Sequence, residues 1–225
     1  MVMTETLALT GLGLFMGFMV LCVALLIHQS HRKHQHVLKR WQDLAHRHHW
    51  TFAHRNTTPR WEIRSATWKV THLDSSLEGF ADQVVFHAPL KKSPPLGIVV
   101  ARPKWKRWQK TLASPHPALK TRDLAALQVP HLEGLLTGLQ HRHGIPEHLH
   151  QHFVVLGHGA SPLVLRVLEQ HVQQWPPSLQ AHRHLHVLLD QQGLTVQVDG
   201  LEFTPENVLP LIQLAEQLLG TMQGT

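Results

Sequence analysis

The 225-residue sequence has one cysteine, no tyrosine and few charged residues, which make up 16% of the chain. The lone Cys22 lies in an apolar segment. The chain therefore cannot form an internal disulfide, and zinc or iron–sulfur sites built from several cysteines are excluded. A P-loop, a G-x-G-x-x-G sequence and a G-x-S-x-G nucleophile motif are also missing. Because no catalytic motif or carboxylate pair stands out, we expect no catalytic residues and no cofactor.

The longest apolar run extends from Leu7 to Ile27 and contains no charged residue. At 1.5 Å per residue, a helix of this length crosses the ~30 Å hydrocarbon core of a bilayer. A cleaved signal peptide would need a positively charged start, whereas residues 1–6 carry only Glu5. We predict a short extracytoplasmic N-terminus (1–6) and a retained transmembrane helix (7–27).

The flanks of this run predict its orientation. Four basic residues follow it closely: Arg32, Lys33, Lys39 and Arg40. The positive-inside rule then places the C-terminal side in the cytoplasm. We expect a single-pass protein of the inner (cytoplasmic) membrane with its N-terminus outside.

Gly13 and Gly17 form a G-x-x-x-G spacing within the run. This spacing lets two membrane helices approach closely, which would give a homodimer. Ordinary glycine usage in membrane helices explains the spacing equally well.

The first half of the soluble part favours short strands after a helix. Apolar residues recur at helical spacing in 28–50, which predicts a basic juxtamembrane helix that could continue the membrane helix. Five segments then have strand character: Thr51–Arg55, Trp61–Arg64, Thr67–Leu73, Gln83–His87 and Gly97–Arg102. An antiparallel meander is the simplest interpretation. Residues 103–122 hold prolines and many charges and are predicted to form a long loop.

The second half alternates helices and strands. The pattern predicts a helix at Asp123–Leu139, a strand at His152–Gly157 and a helix from the Ser161 cap to Trp175. It then predicts a hairpin of Leu185–Leu189 and Leu194–Val198, and a helix from a cap near Asn207 to Gly220. The fold class is therefore α+β, with an antiparallel meander, a hairpin and amphipathic helices. We expect a β-rich basic subdomain at 51–122 and an acidic, histidine-rich α+β subdomain at 123–225.

The Phe153–Gly157 strand precedes a leucine-rich amphipathic helix that reaches Trp175. Together with the apolar N-terminal helix, the meander, the hairpin and the terminal helix, this order resembles a loose group of bacterial single-pass, membrane-anchored proteins of unknown function. The resemblance supports the architecture and implies neither an activity nor functional residues.

Positive charge is concentrated in the middle of the chain. Residues 83–122 carry a formal charge of +9, whereas residues 123–225 carry −6. Basic and aromatic residues interleave in one stretch: Arg102, Lys104, Trp105, Lys106, Arg107, Trp108 and Lys110. Such a stretch suits an anionic membrane surface, nucleic-acid phosphates or plain solvent. Tethering to a membrane favours lipid over nucleic acid.

Histidine is unusually abundant, with 22 residues against 21 lysines and arginines. Two runs have a spacing of two: His148, His150 and His152, and His182, His184 and His186. On a strand, residues at this spacing share a face, so each run could bind Zn²⁺, Ni²⁺ or Cu²⁺. Against a metal site, histidines also cluster elsewhere in the chain.

The sequence thus predicts a membrane-tethered, non-catalytic domain that binds a protein partner or the membrane surface. The alternative is divalent metal binding or handling by the histidines, and an uncharacterised enzyme comes third.

Overall fold

A computed structural model describes residues 2–55, 60–73, 83–91, 97–112, 152–157, 162–174 and 185–223. The chain divides into two compact units, Met1–Leu44 and Ala45–Thr225. The helix predicted at Asp123–Leu139 lies outside the described residues.

The first helix, α1, runs from Val2 to His48 without interruption, so the predicted membrane helix and the predicted juxtamembrane helix are continuous. Its portion from Phe15 onward is long and apolar enough to cross a membrane, by length and composition. The large apolar side chains between Phe15 and Ile27 are 47–66% exposed, as expected for a helix that packs against lipid. A Cβ added at Gly17 would meet nothing within 4 Å. Dimerisation through Gly13 and Gly17 stays a prediction.

Among the described residues of the second unit, eight strands form one antiparallel sheet. They are β1 (Thr51–His54), β2 (Trp61–Arg64), β3 (Lys69–Leu73), β4 (Gln83–Ala88), β5 (Gly97–Ala101), β6 (Phe153–Gly157), β7 (Leu185–Asp190) and β8 (Gly193–Asp199). The spatial order is β1-β2-β3-β4-β8-β7-β5-β6. Four of the five segments predicted to form the meander do so, as β1 to β4. The fifth, Gly97–Arg102, does not belong to it, because β5 pairs with β6 and β7 instead of β4. The predicted hairpin is β7 and β8. The α+β class is confirmed.

The sheet takes strands from both of the predicted subdomains. β4 pairs with β8, and β5 lies between β7 and β6. The boundary predicted at residue 122 therefore does not separate two sheets.

The apolar core lies on one face of β3, β4 and β8, whereas β5 and β6 are buried on both faces. Side chains alternate between the two faces of a strand. Val70, Phe86 and Val196 lie side by side across β3, β4 and β8, and all three are fully buried. The helix α4 (Pro205–Gln223) packs against β4 and β8. Trp68 joins it to this face, because its ring contacts Phe86 and its indole N–H donates to α4.

The helix α3 (Pro162–Gln174) packs along α4. A hydrogen bond of 2.7 Å joins His171 Nε2 and Gln217 Oε1 between the two helices. The described part of α3 ends at Gln174, and Trp175, the predicted end, lies outside the described residues.

The helix α4, predicted to start from a cap near Asn207, starts earlier, since its first residue is Pro205. The carbonyl of Thr204 accepts hydrogen bonds from the N–H groups of Asn207 and Val208, at 3.1 and 3.0 Å. Thr204 is therefore the cap and Pro205 the first helical residue, an arrangement that proline favours because its missing N–H has no helical partner there. Pro210 lies inside the helix.

Candidate functional site

The predicted long loop at 103–122 is wrong over its first part, because Arg102–Leu112 forms the helix α2. It begins directly after β5, and the Arg102 N–H donates to the carbonyl of His152 at 2.8 Å. Pro103 lies in the first turn, where a proline does not disturb the helical hydrogen bonds. The charges between Arg102 and Lys110 belong to an amphipathic helix, and the rest of the predicted loop, 113–122, lies outside the described residues.

The inner side of α2 is fixed to the sheet by residues four positions apart, Lys104 and Trp108. These side chains are 1% and 0% exposed. The spacing places both on one side of the helix. Because both are buried within the protein, the prediction that they contact a membrane surface or an anionic partner is corrected.

The side chain of Lys104 belongs to a buried hydrogen-bond network. Its ammonium group donates to Asp199 Oδ1 at 2.9 Å, and Gln197 Nε2 donates to the same oxygen at 3.1 Å. Gln197 Nε2 also lies 2.8 Å from Gln83 Oε1. Buried charges are tolerated when they are paired and hydrogen-bonded, as here. The network lies on the sheet face opposite Phe86, since Gln83 pairs with Asp199 and alternates with Phe86 along the chain.

His186 lies beside this network, on β7 directly opposite Gln197. Its ring meets Trp108 edge to face, with 5.5 Å between centroids. Complete burial, and secondly the positive charge of Lys104, hold the pKa of His186 well below its usual value of 6.5. His186 Nδ1 and Trp108 Nε1 are buried without a hydrogen-bond partner among the described residues.

The outer side of α2 is basic. Arg102, Lys106 and Lys110 are exposed, and Trp105 is half-buried. The side chain of Arg107 lies outside the described part of the structure. We call Arg102, Lys106 and Lys110 the outer basic residues of α2. They retain the surface position that the sequence led us to expect.

The predicted metal ligands are only partly within the described residues. His148, His150, His182 and His184 lie outside them. His152 is exposed, whereas His186 is buried. In the described ranges, no group of three or more histidine, cysteine or acidic residues is arranged to hold a metal ion.

Sequence reasoning missed Gln83, Gln197 and Asp199 as partners of α2. In β8, Thr195, Gln197 and Asp199 alternate with Leu194, Val196 and Val198. This period normally marks a strand with one solvated face. The alternation was the available signal, but only the position of α2 shows that part of the polar face is buried.

No protein-family model matches this chain, and neither a curated protein nor a solved structure matches it. The resemblance to membrane-anchored bacterial proteins stays a prediction.

Proposed function

We propose that the protein is a membrane-tethered, non-catalytic interaction domain of the inner (cytoplasmic) membrane. α1 would hold it in the bilayer, with the N-terminus outside and the sheet domain in the cytoplasm. The outer basic residues of α2 would contact the anionic membrane surface and leave other surfaces for a protein partner.

The two-sided character of α2 is the observation that carries this proposal. Lys104 and Trp108 bind the helix to the sheet, so the outer basic residues project from a fixed support. A basic group near an anionic leaflet contributes ~1 kcal/mol to binding. Trp105, half-buried beside them, suits the depth of lipid headgroups.

The contact can be tested in the full chain, because Cys22 is the only native cysteine. A Cys22→Ser protein carrying Gln109→Cys, at an exposed position of α2, accepts one environment-sensitive fluorophore. The labelled protein is reconstituted into phosphatidylcholine bilayers with or without phosphatidylglycerol, and brominated lipids serve as quenchers. We expect quenching that requires phosphatidylglycerol.

Two variants that each remove one exposed charge separate a local contact from a general charge effect. Lys106→Gln should lower the ratio of membrane-docked to undocked domains, as measured by the quenching, about fivefold. This change corresponds to ~1 kcal/mol of binding free energy. Arg166→Gln, at an exposed position of α3, should leave the ratio unchanged. Equal quenching in bilayers with and without phosphatidylglycerol would contradict the proposal.

The orientation needs a separate test. A cysteine at the exposed Gln191, in the turn between β7 and β8, can be treated with a membrane-impermeant maleimide. Labelling should occur only after the cells are opened. Labelling in intact cells would place the domain outside the cytoplasm.

A further inference from the structure

A row of polar residues crosses the face of the sheet opposite Phe86. Each lies directly opposite the next on the neighbouring strand: Thr51, Arg64, Lys69, His87 and Thr195. We call this set the polar row. Thr51, Arg64 and Lys69 are exposed, and the other two are half-buried. The row therefore lies on an open part of the sheet.

Two positive charges occupy neighbouring positions in the polar row. Arg64 and Lys69 are direct cross-strand partners, and like charges in this relation destabilise a sheet. Arg64 also forms an ion pair with Glu62 on its own strand. Partial burial and, to a smaller extent, the charge of Lys69 lower the pKa of His87. The carboxylate of Asp190 acts in the opposite direction and raises this pKa. An external anionic surface would relieve the repulsion between Arg64 and Lys69.

The polar row and α2 lie on the same side of the sheet. α2 reaches the sheet through Asp199 and His186. Both belong to the face of the polar row. Thr195, Gln197 and Asp199 alternate along β8 and so share one face, and His186 on β7 lies directly opposite Gln197. Arg64 and Lys69 thus add to the outer basic residues of α2 on one side of the domain.

The helix α4 covers the other face, α3 packs along α4, and both helices carry acidic groups. Glu206 and Glu216 are exposed on α4, and Glu169 is half-buried on α3. Arg166 on α3 is an exposed exception, and Asp190, which caps the β7–β8 turn, is a half-buried acidic exception at the end of β7. Glu62, which pairs with Arg64, is a buried acidic exception on the face of the polar row. Exposed basic groups are therefore concentrated on the side of the polar row and α2, and acidic groups on the side of α3 and α4.

From this division we infer that the open sheet face around Arg64 and Lys69 is a second docking surface for the anionic bilayer. The inference rests on the proposed function and extends it, because it sets how the domain is oriented. The side bearing the polar row and α2 faces the lipid headgroups, while α3 and α4 face away and present acidic groups to the cytoplasm. Charge complementarity selects an anionic bilayer as the occupant.

The test uses three single-cysteine proteins in the Cys22→Ser full chain. The labels are placed at Thr71 on the face of the polar row, at Gln109 on α2, and at Gln213, an exposed position of α4. Each protein is reconstituted into phosphatidylcholine bilayers with or without phosphatidylglycerol, and quenching by brominated lipids is compared. We expect phosphatidylglycerol-dependent quenching at Thr71 and Gln109 and none at Gln213. Lys69→Gln should lower the docked ratio at Thr71 about fivefold, whereas Arg166→Gln should not change it.

The outcomes separate the inference from the proposed function. Quenching at Gln109 without quenching at Thr71 would overturn the sheet surface and leave the α2 contact standing. Quenching at Gln213 would overturn the orientation. Absence of quenching at all three labels would overturn both proposals. A Lys69→Gln protein with unchanged quenching at Thr71 would show that charge at the polar row does not hold the sheet on the membrane.

Discussion

The ammonium group of Lys104 and the carboxylate of Asp199 meet at 2.9 Å, although 95 positions separate them in the sequence. Their side chains are only 1% and 8% exposed. The pair connects α2 to β8 and so fixes the position of the helix on the sheet. Removing either partner would leave the other as an uncompensated buried charge.

Replacing Lys104 with methionine is expected to destabilise the domain by about 3–5 kcal/mol, because Asp199 would lose its counterion while remaining buried. Chemical unfolding of the detergent-solubilised full chain, followed by tryptophan emission, measures the change. Lys106→Met, which removes an exposed lysine from the same helix, should shift stability by no more than about 0.5 kcal/mol.

The double variant Lys104→Met/Asp199→Leu distinguishes a charge effect from a loss of packing. With both charges removed, much of the lost stability should return. If the double variant were as unstable as the sum of the two single variants, the pair would not be an energetically coupled unit.

Stability should fall as the pH drops below 6.5, and His186 should contribute to that fall. Its folded-state pKa is well below the usual value of 6.5, so at lower pH the unfolded chain takes up a proton that the folded chain does not. The contribution is fully present above pH 6.5 and is lost towards the folded-state pKa, at up to about 1.4 kcal/mol per pH unit. Unfolding curves between pH 5 and pH 7.5 measure the slope.

A variant comparison isolates His186 from the other histidines. His186→Phe should reduce the slope below pH 6.5, whereas His152→Phe, at an exposed position, serves as the control. Identical slopes in the wild-type and His186→Phe proteins would show that the buried ring does not govern acid sensitivity.

Local patterns predicted several elements well. The observed bounds of β2 agree with the predicted ones. Trp61 and Ile63 are two residues apart, as expected for side chains that lie on one face of a strand, and both are buried. α3 follows from its apolar spacing, and the β7–β8 hairpin follows from the short turn between Asp190 and Gly193. In these segments, local propensity and burial point to the same structure.

The buried side of α2 could not be predicted in the same way. Lys104 is spaced correctly for the inner side of a helix, but a lysine is normally exposed. Its burial depends on Asp199, and that residue becomes a neighbour only because β8 pairs with β7, which in turn pairs with β5, the strand that precedes α2. Likewise, the insertion of β5 between β7 and β6 joins strands that are distant in the sequence, which local periodicity does not report.

Gly193 should tolerate no side chain. Its φ is +129°, and a Cβ added there would lie 2.2 Å from the backbone oxygen of Ala88 in β4. Gly193→Ala should therefore lower the free energy of unfolding by about 2–3 kcal/mol, since the backbones of β4 and β8 would have to separate.

Gly220→Ala is the matched control, because Gly220 lies in α4 with nothing within 4 Å of an added Cβ. It should be neutral or stabilising by up to about 1 kcal/mol. Thermal unfolding of both variants compares them, and equal melting temperatures would contradict the expected clash.

Salt should separate membrane docking from folding. The Debye length falls from about 10 Å at 0.1 M to about 3 Å at 1 M, so contacts between the outer basic residues of α2 and anionic lipid should weaken strongly over this range. The Lys104–Asp199 pair is buried and therefore screened much less.

Quenching of the Gln109 label in phosphatidylglycerol bilayers should fall with added NaCl, while tryptophan emission from the folded domain stays unchanged in the same samples. Quenching that persists at 1 M NaCl would show that apolar contact, for example by Trp105, dominates over charge. A parallel change in tryptophan emission would instead mean that the salt acts on the fold.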